Sequence, residues 1–227
     1  MDSKPNIAID GPAGAGKSTV ARMVAENLGL LYIDTGAMYR AVALQALREG
    51  LDLEDGEALG RLAGILSITL VNGDGNRIRV FLNDEDVTEE IRSPEVTKIV
   101  SLVAKVPVVR KRLVDLQRAM AQGGGVVMEG RDIGTVVLPE AQVKIFLTAS
   151  PGERARRRRK ELAAKGYYVD QQQMEEEIAE RDRIDSHRET DPLTPALDAE
   201  IIDCSSYSVE QVVKMIIARA NYAAARC

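Results

Sequence analysis

The fold of this chain is decided by one stretch, Gly11-Pro12-Ala13-Gly14-Ala15-Gly16-Lys17-Ser18, which has the G-x-x-x-x-G-K-S spacing of a P-loop. An apolar run, Ile7-Ala8-Ile9, precedes the motif, and a helical pattern over 19–28 follows it. A loop between a strand and a helix points its main-chain N–H groups at a phosphate, and glycines let the backbone approach the anion. The motif therefore predicts a nucleoside triphosphate site made of Gly11, Pro12, Ala13, Gly14, Ala15, Gly16, Lys17, Ser18 and Thr19.

Two side chains of the motif are candidates for chemistry. Lys17 has the length to reach the β- and γ-phosphates, which makes it a candidate catalytic residue, and the Ser18 hydroxyl is a candidate ligand of Mg²⁺. The alternative is a glycine-rich turn with a chance lysine. The strand pattern before the motif and the helix pattern after it favour the P-loop, so a nucleoside triphosphate and Mg²⁺ are the expected ligands.

Length and composition indicate a single α/β domain with insertions, because the chain has 227 residues, 45% of them hydrophobic and 29% charged. The net charge of −5 argues against a nucleic-acid partner. No apolar run approaches the roughly 20 residues of a membrane span, and residues 1–6 lack the apolar core of a signal peptide. We expect a cytoplasmic protein with two free thiols, Cys204 buried in a strand and Cys227 at a loose terminus.

Five short apolar runs are predicted to be strands: 6–10, 31–34, 125–128, 143–148 and 200–203. Helical patterns separate most of them, which predicts a five-stranded parallel sheet covered by helices on both faces. Further helices are predicted at 37–49, 93–105, 107–122, 150–165 and 171–188, and after the capping box at 208–211.

One segment departs from this alternation. The runs 68–71 and 77–82 are rich in strand-forming residues, and the turn-like sequence 72–76 lies between them. A two-stranded hairpin is not stable alone, so we expect a small antiparallel β subdomain over about 63–93, inserted between the second and third core strands. The basic helix later in the chain is expected to form a helical lid over about 151–170.

Polar clusters follow the second and third predicted strands, at the sheet edge where α/β proteins bind ligands. The first runs from Asp34 to Arg40, and its arginine would either hold the phosphate of an acceptor substrate or lie on the surface of a helix. The second runs from Glu129 to Gly134. Its Arg131-Asp132 pair is either a salt bridge within a loop or a pair that recognises a base or phosphate, and the position at a strand end favours recognition.

Two charged stretches later in the chain also have two interpretations. The run 154–160 is either a solvated helix face or part of a mobile lid whose arginines neutralise a transferring phosphoryl group. Arg181, Asp185 and Arg188 have i, i+4, i+7 spacing and share one helix face. This spacing alone is explained most simply by a ladder of salt bridges.

The P-loop leaves several functional classes open. A guanine-nucleotide switch is disfavoured because no Asn-Lys-x-Asp element is present, and motor or transporter ATPases are normally larger. The length and the many arginines favour a kinase of a small molecule or nucleotide, because phosphoryl transfer depends on positioning and charge neutralisation rather than on a strong base.

Motifs spread along the chain resemble those of the bacterial cytidylate kinases. The resemblance rests on 11–19, 34–41, 129–137, 144–150 and 181–188, in this order and with the hairpin insertion, and it covers nearly the whole chain. It implies a fold like that of adenylate kinase, with a core, a substrate-binding insertion and a lid. It also implies transfer of a phosphoryl group from ATP to CMP or dCMP with Mg²⁺, and we expect a monomer with these small-molecule partners.

The resemblance further implies roles for individual residues. Cytosine would be read by or lie beside Thr35, Arg110, Arg131, Asp132 and Arg188, and the sugar would be held by Ser101, Arg181 and Asp185. Arg40 would grip the acceptor phosphate, with Arg131 shared, and Asp34 would contact Mg²⁺ through water. The transferring phosphoryl group would be stabilised by Lys17, by Arg131 and by the lid arginines Arg154, Arg157 and Arg158.

The chemistry of the base agrees with these roles. Cytosine presents an N4 donor beside N3 and O2 acceptors, which suits a carboxylate such as Asp132 next to an arginine, whereas uracil presents the O4 acceptor. CMP is therefore predicted to be preferred over UMP. A kinase of UMP, shikimate or dephospho-coenzyme A is one alternative, and a regulatory module that binds ATP without transferring phosphate is another.

Overall fold

The computed structural model describes residues 4–73, 78–164 and 166–225, and its core is a five-stranded parallel sheet in the order β2-β6-β1-β7-β8. The strands are β1 (Ile7–Asp10), β2 (Leu31–Asp34), β3 (Ile68–Asn72), β4 (Ile78–Leu82), β5 (Glu85–Asp86), β6 (Val126–Gly130), β7 (Val143–Thr148) and β8 (Glu200–Asp203). The α-helices are α1 (Lys17–Leu28), α2 (Thr35–Arg48), α3 (Gly56–Ile65), α4 (Pro94–Ala104), α5 (Pro107–Met120), α6 (Pro151–Ala163), α7 (Gln171–His187) and α8 (Val209–Ala224). The predicted fold class is confirmed.

The central strand β1 explains why the sheet is parallel and doubly covered. All four of its residues are buried, and it pairs in parallel with β6 on one side and with β7 on the other. A continuous apolar run of this kind is buried on both faces. Because the strands are parallel, their carboxyl ends meet at one edge, which brings the P-loop and the polar clusters after β2 and β6 together.

The helix after β2 begins two residues earlier than predicted. Asp34 caps it by accepting a hydrogen bond from the Ala37 N–H at 3.0 Å, so α2 starts at Thr35. Tyr39 and Arg40 consequently lie on the second turn of the helix, not on the first turn as expected. The N-terminus of α2 still opens toward the P-loop.

The inserted β subdomain has one strand more than the predicted hairpin. β3 and β4 form the expected antiparallel pair, and β5 adds to the free edge of β4. The two residues of β5 are acidic and exposed, and acidic residues do not predict a strand. The helix α3 was also not predicted, and residues 74–77 of the expected turn lie outside the described residues.

The helix of the expected lid, α6, packs on the following helix α7 around a small apolar cluster of Ala155, Leu162, Met174 and Ile178. Ser150 caps α6 as its capping-box sequence predicts, accepting from the Glu153 N–H at 3.4 Å. In the part of the chain that is described, no helix combines the length and the apolar character needed to cross a bilayer.

Cys204 is buried but lies just after β8 rather than within it. Its N–H still donates to the Thr148 carbonyl at 2.8 Å, which continues the pattern of the parallel sheet for one more residue. The prediction for Cys227 lies outside the described residues.

Candidate active site

A crevice of about 1790 Å³ opens at the carboxyl edge of the core sheet, between the P-loop, the α2–α4 side and the α6–α7 lid. Pockets for one drug-sized ligand measure roughly 300–1,000 Å³, so this crevice has room for two nucleotides. Of the predicted site residues it is lined by Ala13, Gly14, Ala15, Gly16, Lys17, Ser18, Thr19, Thr35, Arg40, Ser101, Arg110, Arg131, Asp132, Arg157, Arg158, Arg181, Asp185 and Arg188.

Asp34 lines the crevice as well, whereas the predicted residues Gly11, Pro12 and Arg154 do not, and the first two support the P-loop from behind. Gly11 has φ +149°, and a Cβ there would lie 2.0 Å from the carbonyl oxygen of Leu147. A side chain at this position would therefore force the P-loop away from β7. The Pro12 carbonyl accepts a hydrogen bond from Lys17 Nζ at 2.7 Å.

The P-loop end of the crevice presents unsatisfied positive charge. The N-cap of α1 is Gly16, and no side chain caps this helix, so its first N–H groups face the crevice. Lys17 is buried, and burial lowers its pKa, with the nearby Arg131 guanidinium adding to the effect. An anion bound at the P-loop would favour the charged form of Lys17 and so raise its pKa again.

Two carboxylates stand beside the Ser18 hydroxyl. Glu129 is buried and accepts hydrogen bonds from Ser18 and from Tyr32 Oη, the latter at 2.5 Å. Burial, together with the charge of Asp34, raises the pKa of Glu129. Asp34 in turn receives a long ion-pair contact of 3.3 Å from Arg92 Nη2. Oxygen donors of this type suit Mg²⁺, which takes few protein ligands and otherwise phosphate and water oxygens.

A group of arginines faces the P-loop across the crevice. Arg40 is half-buried and donates to Thr97 Oγ1 at 2.8 Å and to the Ile91 carbonyl at 3.3 Å. Burial lowers its pKa, and Arg181 and Arg158 lower it further. Because a guanidinium stays charged near neutral pH, Arg40, Arg158 and Arg181 together make this side of the crevice positive, and the carboxylate of Asp34 offsets only part of their effect on Arg40. Arg40 is therefore a crevice residue, not an ordinary surface residue.

Arg181 and Asp185 on α7 also face the crevice rather than forming a ladder along their own helix. Asp185 accepts from Arg131 Nε at 2.9 Å, which ties α7 to the loop after β6. The Nε atom of Arg181 is buried and has no hydrogen-bond partner among the described residues. An unpartnered buried donor inside a cavity is a group that a ligand can satisfy.

Deeper in the crevice, four side chains from three segments converge, and we call them the base pocket: Arg110, Asp132, Arg188 and Asp191. Arg110 is 1% exposed and donates to Asp132 through Nη2 and to Asp191 Oδ2 through Nε, the latter at 3.0 Å. Arg188 Nη2 lies 3.4 Å from Asp132 Oδ1. Two arginines thus hold the Asp132 carboxylate from either side.

The surroundings of the base pocket complete its shape. Tyr39 packs its ring 5.5 Å from the Arg110 guanidinium, and its buried hydroxyl has no partner among the described residues. Ser101 is buried on α4 and lines the crevice nearby. Thr35 Oγ1 donates to the Glu129 carbonyl at 2.6 Å, which joins the start of α2 to the end of β6.

The three candidate lid arginines have different surroundings. Arg154 is buried and donates to the carbonyls of Ala149 and Ala13 and to Asp182, so it joins the lid to the P-loop. Arg157 contacts the Ala15 carbonyl at 3.3 Å and the Cys204 carbonyl at 2.8 Å. Arg158 pairs with Glu161 at 2.7 Å and lies close enough to Arg40 to lower its pKa.

Two residues with clear places in the site were not identified from the sequence. Asp191 has φ +50°, which turns its carbonyl toward Arg188, and that carbonyl accepts from Arg188 Nε at 2.7 Å. A non-glycine residue in this conformation has no reliable sequence signal. Arg92 lies in a short 3₁₀ turn of the insertion, where only the fold brings it to Asp34.

A family model described as cytidylate kinase matches residues 7–222 of the chain. The chain belongs to the cytidylate kinase family. The resemblance that the motifs predict is thus confirmed. Among relatives named cytidylate kinase, the protein of Pelotomaculum thermopropionicum is 71% identical over 97% of this chain and 98% of its own length. The protein of Desulforamulus reducens is 60% identical over 93% of this chain and 94% of its own length. The protein of Geobacillus thermodenitrificans is 55% identical over 97% of this chain and 98% of its own length.

Among solved structures, an uncharacterised protein of Eubacterium ventriosum has the same overall fold. It matches with a TM-score of 0.52 and 13% identity, over 96% of this chain and 98% of that chain. An identity this low supports the fold alone. Membership of the cytidylate kinase family rests on the sequence relatives and on the family model.

Proposed function

We propose that this protein transfers the γ-phosphoryl group of ATP to CMP and dCMP, giving CDP and dCDP, with Mg²⁺ as cofactor. The single observation that supports this best is the Asp132 carboxylate, which two arginines fix in the same crevice that the P-loop opens into. Membership of the cytidylate kinase family supports the same reaction, because relatives with that name match this chain over nearly their whole length.

The donor would lie with its phosphates along the P-loop. Lys17 and the uncapped N-terminus of α1 would bind the β- and γ-phosphates. Lys17 would also stabilise the negative charge that develops on the phosphate oxygens in the transition state. Ser18 would be the protein ligand of Mg²⁺, with Asp34 and Glu129 accepting from its bound water. The ion, when bound, neutralises phosphate charge and orients the γ-phosphoryl group.

The acceptor phosphate would lie among the arginines opposite the P-loop. Arg40 and Arg131 are our candidates to hold it, and Arg157 and Arg158 would stabilise the transferring group when the lid closes. In-line transfer has a loose transition state, so holding both phosphates at the right distance in a cationic, dry crevice is the main catalytic requirement. No strong general base is needed, because the acceptor phosphate oxygen is already anionic.

The acceptor nucleoside would extend into the base pocket. Asp132 would accept from cytosine N4, while Arg110 and Arg188 would donate to N3 or O2, and Thr35 would lie beside the base. Ser101, Arg181 and Asp185 would hold the sugar, and the free Nε of Arg181 supports this placement. Uracil would set its O4 acceptor against the Asp132 carboxylate, which accounts for a preference for CMP.

We extend the proposal to the organisation of the chain. Residues 1–227 would form one kinase domain, with a substrate-binding insertion at about 63–93 and a lid at about 151–170. The protein would act as a monomer in the cytoplasm, without a nucleic-acid or membrane partner. The apolar cluster that α6 shares with α7 would join this lid to the helix that follows it.

The experiment that tests this function measures ADP production from ATP and Mg²⁺ with CMP, dCMP, UMP and AMP supplied separately. We expect rates with CMP and dCMP far above those with UMP and AMP. Equal rates with UMP would remove the proposed role of Asp132 while leaving the kinase activity. Absence of any acceptor-dependent rate would favour a regulatory module that binds ATP without transferring phosphate.

A further inference from the structure

Asp10 is the last residue of β1 and stands directly before the P-loop, yet its side chain contacts the turn that follows β6. Its Oδ1 accepts a hydrogen bond from the Ile133 N–H at 2.7 Å, and its Oδ2 accepts one from the Gly134 N–H at 2.7 Å. Asp10 is 4% exposed, and the charge of Lys17 lowers its pKa although the two side chains form no ion pair. The mechanism proposed above gives it no task.

The two hydrogen bonds belong to the start of a short helical turn. Residues Ile133–Val137 form one π-helical turn, and no side chain of its own segment caps it. The first N–H groups of such a turn lack partners within it, and a carboxylate satisfies them well because it is a charged acceptor. Asp10 therefore supplies the missing cap from another strand.

Asp10 also holds the other side of the same loop. Its Cα pairs with that of Gly130 in the parallel register of β1 and β6, so Gly130 and Ile133 are both fixed to one residue. Between these two points lie only Arg131 and Asp132. Asp10 thus holds both ends of the two-residue segment that faces the acceptor nucleotide.

We infer that Asp10 is a positioning residue for the acceptor site, which fixes the direction of Arg131 and Asp132 without touching substrate. This inference rests on the proposed function of the base pocket. It also means that the residue adjoining the P-loop serves the acceptor side rather than ATP. Burial raises the pKa of Asp10 to about 6, and the two N–H donors oppose this increase, as expected for a carboxylate kept charged by the loop it supports.

Two substitutions act on this contact from opposite sides. Asp10→Asn keeps the size of the side chain but replaces one acceptor oxygen by a donor, which would face an N–H group. Gly134→Ala leaves Asp10 intact and places a methyl group beside the contact from the loop side, with its Cβ in van der Waals contact with Asp10 Oδ2 at 3.4 Å and with the flexible Lys144 side chain at 3.3 Å. Neither substitution alters a group that would contact substrate.

Matched controls are available far from the crevice. Asp55→Asn changes an aspartate that also caps a helix, where it accepts from the Ala58 N–H at 2.9 Å on an exposed surface. Gly64→Ala places a Cβ in open space. Both controls should bind CMP and ATP as the unmodified protein does, and thermal unfolding followed by circular dichroism checks that all four variants are folded.

The test measures binding of CMP and of ATP separately by titration calorimetry, and KM for each by ADP production. We expect Asp10→Asn to weaken CMP binding and raise the KM for CMP about tenfold, which corresponds to the loss of one charged hydrogen bond, and Gly134→Ala to change both quantities in the same direction by a smaller factor. The Kd and KM for ATP should change less than about twofold. If Asp10→Asn does not fold, Gly134→Ala alone gives the same comparison.

Two results would overturn the inference: unchanged CMP binding in both variants, or ATP binding weakened as much as CMP binding. The second would mean that Asp10 supports the P-loop. Failure of the proposed function has a different signature, because the unmodified protein would then bind no CMP at all. Asp132→Ala, measured in the same series, shows what loss of the base contact itself does.

Discussion

The two ends of the crevice are built in different ways. The P-loop end comes from consecutive residues and presents mainly main-chain N–H groups and one lysine. The base pocket comes from α5, from the loop after β6 and from the segment after α7, and its Arg110–Asp191 contact joins residues 81 apart. The first site needs only a correct local backbone, whereas the second exists only when three segments pack correctly.

The two ends also differ in electrostatics. The base pocket balances its own charges, since the Asp132 carboxylate pairs with Arg110 and Arg188. At the P-loop end Lys17 has no carboxylate within ion-pair distance among the described residues, and its pKa is lowered by burial and by Arg131 although more distant carboxylates such as Glu129 oppose this. A prearranged, neutralised pocket suits selection of one base, while a site that needs a negative charge suits tight binding of phosphate.

The largest effect is expected where the base pocket depends on packing. Arg110→Met should lower the free energy of unfolding by about 3–5 kcal/mol, because it removes the buried partner of two carboxylates. Lys111→Met, at an exposed position on the same helix, should change it by less than about 0.5 kcal/mol. Denaturant titration measures both. If Arg110→Met lowered the free energy of unfolding no more than Lys111→Met does, the fold around the pocket would not depend on Arg110.

At the P-loop end the expected effect is on rate rather than on stability. Lys17→Ala should lower kcat by about 10²–10³-fold, as for loss of one charge-stabilising donor at a transition state, and should leave CMP binding nearly unchanged. Lys160→Ala removes an exposed lysine that lines the same crevice and serves as control. Turnover close to normal in Lys17→Ala would contradict a catalytic role for the P-loop lysine.

A smaller effect is expected on base selectivity. Asp132→Ala should narrow the CMP-to-UMP ratio of kcat/KM by about 10–100-fold, because it removes the acceptor for cytosine N4 and the repulsion of uracil O4. The ratio is informative even if the variant is less stable, since both substrates use the same folded fraction. Asp132→Asn, whose amide can accept from one base or donate to the other, should retain little discrimination. An unchanged ratio in both variants would refute this role of Asp132.

The smallest effect is a proton linkage at the P-loop. A bound triphosphate raises the lowered pKa of Lys17 toward its ordinary value, so ATP binding at about pH 8 should take up a fraction of a proton. Calorimetry in buffers of different ionisation enthalpy measures the uptake. CMP binding in the base pocket, where the charges are balanced, should take up fewer protons than ATP binding does. If ATP binding to Lys17→Ala took up as many protons as ATP binding to the unmodified protein, Lys17 would not be the group that takes up the proton at the P-loop end.

Most of the core was predictable because its signals are local. The five strands are continuous apolar runs, and Ser150 and Ser208 cap their helices as their sequences indicate. What was missed had weak signals: β5 has two acidic residues, and the start of α2 was placed after its true cap, Asp34. The roles of Arg110 and Ser101 came from the resemblance alone, because their own helices look ordinary.

The sequence by itself determined the P-loop, the parallel sheet and the family, because each depends on residues close together in the chain or on motifs kept in order. Only the tertiary structure decided that Arg110, Asp132, Arg188 and Asp191 meet, and that Asp10 holds the loop between Gly130 and Ile133. The physical reason is that side-chain hydrogen bonds and ion pairs act over about 3–4 Å, a distance that spacing along the chain does not specify for residues on separate segments.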